Sequence, residues 1–199
     1  MKKMPCLFVR KFDGPRSATI TETVTPGCQW VLDGEGVASR KWDGTACAVI
    51  GGVLHKRYDA KKHPKTGEYK MPPAGSIACS DPDPTTAHWP HWVKVDATQP
   101  GHKYHVAAWQ SSDGLLPDGT YELIGPPFNS NPERVSQCEF RRHGDERHVP
   151  ERSFAGLRTY LLDHAIEGIV FTHQDGRMCK IRRDDFGFEW PLTPKGADA

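Results

Sequence analysis

Residues 46–58 read Ala46-Cys47-Ala48-Val49-Ile50-Gly51-Gly52-Val53-Leu54-His55-Lys56-Arg57-Tyr58, two apolar runs on either side of a glycine pair. Both central residues of a two-residue hairpin turn need positive φ, which glycine adopts without steric penalty, so the stretch predicts a β-hairpin. Ile50 then lies opposite Val53 and Ala46 opposite Arg57. A second hairpin follows the same logic, with Gly168-Ile169-Val170-Phe171-Thr172, a turn at Asp175-Gly176, and Arg177-Met178-Cys179-Lys180-Ile181-Arg182. Between them, Thr120-Tyr121-Glu122-Leu123-Ile124 is a short strand that follows Asp118-Gly119 and ends at Gly125-Pro126-Pro127. Phe154, Leu157, Leu161 and Leu162 recur at near-helical spacing and predict a helix over 154–165. Residues 61–103, rich in Pro, Gly, Lys and His, read as loop with short ordered pieces. The expectation is an α+β chain built around antiparallel strands, a single domain over 1–192 with a frayed tail over 193–199.

Composition supports that reading and removes several others. A chain of 199 residues with 19 Gly, 17 Pro and 37% hydrophobic residues favours strands and turns over a helical bundle. Lys and Arg total 26 against 25 Asp and Glu, so no global field draws the protein to nucleic acid or membrane. Neither the start, MKKMPCLFVR, nor any other stretch has the apolar length of a secretion signal or a membrane span. The protein is expected to be soluble and cytoplasmic, with no membrane and no obligate protein partner. Six scattered cysteines, without close pairs, read as reduced and mostly buried thiols. His88 with His91 and His102 with His105 have helical ligand spacing but Pro- and Gly-rich surroundings, and read as loop histidines.

Chemistry is first suggested by Lys41-Trp42-Asp43-Gly44. Lysine is nucleophilic only when neutral, and its unperturbed pKa of about 10.4 leaves little free amine at neutral pH. Burial and neighbouring cations lower that value, and Arg40 is adjacent. Gly44 would let the backbone turn tightly behind the lysine, with Asp43 bonding the turn. A surface turn with an exposed lysine is the alternative, since this pattern arises by chance in about one such chain in twenty. The second hairpin adds weight. With Asp175-Gly176 as a two-residue turn, Phe171 faces Lys180, Ile169 faces Arg182 and Glu167 faces Asp184, so Glu167, Lys180 and Arg182 share one sheet face. A carboxylate and two cations fit a metal-bound triphosphate, with Glu167 for the metal and the two cations for phosphate. The alternative is a solvated face with a weak salt bridge. Arg57 shares a face with Gly44 and could contact a phosphate, or be an exposed strand arginine. Glu122, between Tyr121 and Leu123, suits a ribose hydroxyl or a metal, or a salt-bridged edge position.

In order, Lys41-Trp42-Asp43-Gly44, Tyr121-Glu122-Leu123-Ile124-Gly125, Glu167-Gly168-Ile169-Val170 and Lys180-Ile181-Arg182 resemble the covalent nucleotidyltransferase superfamily of DNA ligases, RNA ligases and mRNA capping enzymes. Residues 83–93, 121–127 and 180–191 resemble one RNA ligase family in particular, formerly an uncharacterised domain family, whose vertebrate member joins RNA 5′-phosphate and 3′-hydroxyl ends. The resemblance implies an adenylation-domain fold without an appended oligonucleotide-binding barrel, and ATP with Mg2+ or Mn2+ as substrate and cofactor. It implies Lys41 as the adenylylated nucleophile, Glu122 at ribose or metal, Glu167 at the metal, and Lys180 and Arg182 at the α-phosphate; Arg40, Asp43, Gly44 and Arg57 are the further candidates around the nucleotide. Arg182 departs from the usual lysine but keeps the charge, and Arg40 replaces a residue that is often acidic or polar. RNA would meet basic residues such as Lys61, Lys62, Lys65, Arg141 and Arg142, with Trp89 and Trp92 as base-stacking candidates or as buried loop anchors. A capping-type guanylyltransferase and a non-catalytic binder of nucleotides or RNA ends are the alternatives.

Overall fold

A computed structural model describes residues 4–12, 18–63, 65–83 and 88–193. Outside the described residues lie the first three positions of the N-terminal segment, residues 84–87 of the stretch 83–93, and the expected frayed tail beyond Thr193. The strands in chain order are β1 (Phe8–Phe12), β2 (Ala18–Val24), β3 (Val37–Lys41), β4 (Thr45–Ile50), β5 (Val53–Lys61), β6 (Ile77–Ala78), β7 (His88–Lys94), β8 (Gly119–Ile124), β9 (Glu139–Arg142), β10 (Arg147–His148), β11 (Gly168–Thr172) and β12 (Met178–Arg182). The helices are α1 (Gln29–Leu32), α2 (Lys103–Ser111) and α3 (Phe154–Asp163). The protein is thus α+β, its ladders antiparallel and its helices few. No described helix is long and apolar enough to cross a membrane. None of the six cysteines is disulfide-bonded.

The described residues gather into two compact units, a terminal unit over 4–43 and 143–193 and a central unit over 44–142. In the central unit the sheet runs β6-β7-β5-β4-β8-β9. The Gly51-Gly52 turn forms as the sequence predicts, with Ile50 opposite Val53 and both glycines at positive φ. The Asp118 carboxylate accepts the N–H groups of Gly51 and Gly52 at 2.7 and 2.9 Å, which pins the turn to the start of β8. Cys47, Val49, Leu54, Tyr121 and Leu123 form one apolar face, covered by Ala108 of α2. Residues 61–103 are more ordered than expected. β7 pairs along β5 from His55 opposite Lys94 to Lys61 opposite His88. Pro90 hides this strand from a propensity reading, because it lacks a ladder donor. Its carbonyl accepts from the Cys79 N–H, so the missing N–H lies on the side of the two-residue edge strand β6 and costs β5 nothing. The loop assignment of the histidines is corrected with it: His88 and His91 belong to β7, His105 to α2, and His91 and His105 are buried.

In the terminal unit the sheet runs β10-β3-β11-β12, beside the two-stranded ribbon β1-β2. Leu157 and Leu161 of α3 are fully buried against Ile169, Phe171, Cys179 and Ile181. Ser153 caps the helix by accepting the Gly156 N–H at 3.0 Å. The hairpin β11–β12 differs from expectation by one residue. His173 and Arg177 close a three-residue loop over Gln174, Asp175 and Gly176, with Gly176 at φ 88°. Phe171 therefore faces Cys179 instead of Lys180, and Ile169 faces Ile181 instead of Arg182. The expected register would have put two cations on the face of Ile169 and Phe171, which is the core; the observed one buries four apolar side chains there.

Leu161→Ala should lower unfolding free energy by about 2–5 kcal/mol in urea titration, whereas Leu162→Ala, one residue on and facing solvent, should change it by no more than about 0.5 kcal/mol. Equal losses would show that α3 does not dock through the face described.

Candidate functional site

The site is built on the face of the terminal sheet opposite its core. Gly168 pairs with Lys41 of β3 on one side and with Arg182 of β12 on the other, and Val170 pairs with Lys180. Cross-strand partners share a face, so Lys41, Lys180 and Arg182 project together. A Cβ on Gly168 would fall 2.3 Å from the Ile181 carbonyl oxygen and 2.9 Å from the Arg182 Cα, so only glycine lets β12 approach this closely. Glu167 precedes the strand, and its carbonyl accepts the Arg183 N–H at 2.9 Å. Its facing with Ile169 and its pairing with Asp184, both expected, give way to a different contact. The Glu167 carboxylate meets the Lys41 ammonium, with Nζ 2.6 Å from Oε2.

Burial sets the electrostatics. Glu167 is almost wholly buried, which pushes its carboxyl up to about 7; Lys41 opposes that shift, Asp43 adds to it and Arg182 opposes it. Burial likewise pushes Lys180 down to about 8, helped by the charges of Lys41 and Arg182 and resisted by Glu167. Among the described residues the Lys180 ammonium has no hydrogen-bond or ion-pair partner, which leaves a half-buried cation open to an anion. Arg182 is held differently. Its guanidinium lies 3.0 Å from Asp184 and 3.4 Å from Asp185, and its backbone N–H donates to Asp185 at 2.9 Å. Buried Asp185 also pairs with Arg10 of β1. Neither Arg10 nor Asp185 was singled out from sequence: Arg10 lies more than 170 residues away in the chain and has no local signature, and Asp185 sits in a matched stretch without a role of its own.

The remaining candidates divide between the units. Asp43 accepts the indole N–H of Trp190 at 2.7 Å. Arg40 pairs with Ile169, on the sheet face opposite Lys41; its guanidinium stacks 3.8 Å over Trp42 and reaches Glu146 at 3.3 Å. Gly44, Arg57 and Glu122 belong to the central unit. The chain bends at Gly44 as expected, without positive φ; a Cβ there would lie 2.2 Å from the Leu123 carbonyl oxygen, so the glycine also serves close packing on β8. Cys47 faces Lys56 and Tyr121, so their neighbours Arg57 and Glu122 share the other face of the central sheet. Arg57 holds Asp59 at 3.1 and 3.2 Å, and Glu122 pairs with Arg141 on β9. Among the described residues no three His, Cys, Asp or Glu side chains form a metal cluster.

Comparison with known proteins gives a distant relationship. No protein-family model matches the chain. It is similar to RNA ligase 1 of Rattus norvegicus, 24% identical over 270 aligned positions that take in 96% of this chain and 82% of the relative. RNA ligase 1 of Mus musculus is 26% identical over the same shares. The alignment is longer than the chain, so these relatives carry residues between matched stretches that this chain lacks.

The depressed Lys180 value has a measurable consequence. A base whose folded pKa lies below its unfolded value destabilises the fold while charged, and that cost disappears as pH rises from about 8 towards 10.5. Lys180→Met should therefore melt a few degrees above wild type at pH 7, with the difference narrowing above pH 8, in differential scanning fluorimetry. A lower melting temperature at pH 7 would contradict the assigned environment.

Proposed function

We propose that this chain is an ATP-dependent RNA ligase that carries AMP on Lys41 and uses it to join RNA 5′-phosphate and 3′-hydroxyl ends. The observation that carries the reading is the Lys41 ammonium 2.6 Å from Glu167, on the sheet face that also bears Lys180 and Arg182. The similarity to RNA ligase 1 proteins supports RNA as the substrate. On this reading the α+β chain has the adenylation fold of covalent nucleotidyltransferases.

Lys41 must first lose a proton, and Glu167, with a carboxyl near 7, is matched to accept it at neutral pH. The amine then attacks the α-phosphorus of ATP. An N–P bond forms while the bond to the bridging oxygen breaks, and pyrophosphate leaves with the electron pair. Lys180 and Arg182 offset the negative charge that gathers on the phosphates. A 5′-phosphate oxygen of RNA next attacks the AMP phosphorus, the N–P bond breaks, and the lysine regains a proton. Attack by an RNA 3′-hydroxyl on the activated 5′-phosphate finally forms the phosphodiester and releases AMP. Glu167 Oε1 has no partner among the described residues, and a carboxylate oxygen suits a hard cation such as Mg2+ or Mn2+. Glu122 is the second carboxylate assigned to metal or ribose. When bound, such an ion neutralises phosphate charge, and at Glu167 it would replace Lys41 as the positive partner. Asp43 joins the nucleotide-binding set on this reading, with Gly44 and Arg57 as its candidates from the central unit, whereas Arg40 on the opposite sheet face does not.

Incubation with α-labelled ATP or GTP and Mg2+, followed by denaturing gel electrophoresis, tests the proposal. Label should be retained with ATP and absent from Lys41→Ala. Glu167→Gln should slow labelling about 10²–10⁴-fold. Label from GTP alone would indicate the capping-type reaction, and label from neither nucleotide would exclude covalent transfer.

A further inference from the structure

The central unit carries a second feature that the chemistry of Lys41 does not use. Tyr58 pairs with His91 and Ala60 with Trp89, so these side chains share one face of β5 and β7. An isolated bridge between Lys62 and Tyr69 continues that face beyond the end of β5. The Trp89 ring meets Tyr69 edge-on at 5.8 Å and His91 at 4.5 Å, and its indole N–H is satisfied by the Ser80 carbonyl at 3.1 Å. Lys62 lies 5.2 Å over the Tyr69 ring and Lys70 lies 5.8 Å over the Tyr58 ring. Trp92, the other tryptophan of β7, is buried on the opposite face and takes no part.

Two properties separate this face from a small core under a loop. Tyr58, Tyr69 and Trp89 remain partly exposed, and Lys62, Lys65 and Lys70 are exposed near them, while Lys61 lies on the other face with Asp59. Charge is also concentrated here: residues 56–70 hold six basic side chains against two acidic ones, in a chain whose net charge is only +1. One of the two acids, Asp59, is already engaged by Arg57. None of the four lysines has an ion-pair partner among the described residues. Flat, part-exposed rings set among unpaired cations are what an unpaired nucleic-acid strand requires, since bases stack on the rings while phosphates meet the ammonium groups. A duplex keeps its base faces covered and would use only the charge.

We infer that the Tyr58–Tyr69–Trp89 face, with Lys62 and Lys70, is a docking surface for a single-stranded RNA segment. The inference rests on the ligase reading for its choice of RNA, and its test is independent of nucleotide transfer. Binding of a short labelled 5′-phosphorylated oligoribonucleotide is followed by fluorescence anisotropy over a range of salt concentrations, alongside the lysyl-AMP assay. Replacement of Lys62 and Lys70 together by glutamine should weaken binding at least tenfold and reduce the slope of log affinity against log salt by about 1.4. Tyr69→Ala should weaken binding about fivefold or more with the slope unchanged. Lysyl-AMP formation should persist in both variants, which also reports that they fold. An unchanged affinity and slope in the double variant, or equal affinity for a blunt RNA duplex, would overturn the docking surface while leaving the ligase reading intact. A wild-type protein that binds the strand through these residues yet takes no label from ATP would support the surface and sink the ligase reading.

Discussion

Gly168 has a strand on each side, and the absence of its side chain determines what those strands can bring together. With β3 on one flank and β12 on the other, Lys41 and Arg182 are both its cross-strand partners. Close approach of β12 then places Lys180 on the same face, while Ile169, Phe171, Cys179 and Ile181 fill the opposite one. A methyl group at this position would meet backbone, which cannot move aside as a flexible side chain can. The cationic face and the apolar core are therefore two results of one register: neither can shift by a residue without inverting the other.

Within that frame the Lys41–Glu167 pair is not simply a stabilising salt bridge. Bringing both groups out of water carries a desolvation cost that Coulomb attraction only partly offsets. The cost falls mainly on Glu167, whose carboxyl is held near 7, and the neighbouring Asp43 adds to it. Burial thus raises the affinity of the Glu167 carboxyl for a proton directly beside the Lys41 ammonium. Lys180 shows the complementary imbalance: a half-buried cation with no carboxylate partner among the described residues. Arg182 instead is locked by Asp184 and Asp185, the latter shared with Arg10, so its guanidinium is oriented before any ligand arrives. One cation is left open and one is pre-set.

Basic charge serves a different purpose in the central unit. The lysines around Tyr58, Tyr69 and Trp89 lie over or beside aromatic rings and remain in water, where charge acts through attraction at a distance and counterion release. Those of the terminal sheet act through desolvation. A chain with almost balanced total charge can therefore hold two basic sites of opposite physical character, and its net charge describes neither.

Local chemistry was legible from the residues alone. The Gly51-Gly52 hairpin, the strand that includes Glu122, and α3 follow from turn residues and periodicity, and each forms where those signals put it. The sequence grouped Glu167, Lys180 and Arg182 through a two-residue turn that the structure replaces, and joined Lys41 to them through the family resemblance; Lys180 and Arg182 share a face in either register because they are two apart on one strand. Tertiary structure decided the rest. Asp175-Gly176 is compatible with a two-residue or a three-residue loop, and only the need to bury Ile181 and Cys179 beside Ile169 and Phe171 selects between them. β7 escaped notice because Pro90 is acceptable only beside an edge strand as short as β6, a fact of sheet order that no local window contains. Arg10 and Asp185 come together across nearly the whole chain, and residues so far apart share no pattern until folding makes them neighbours.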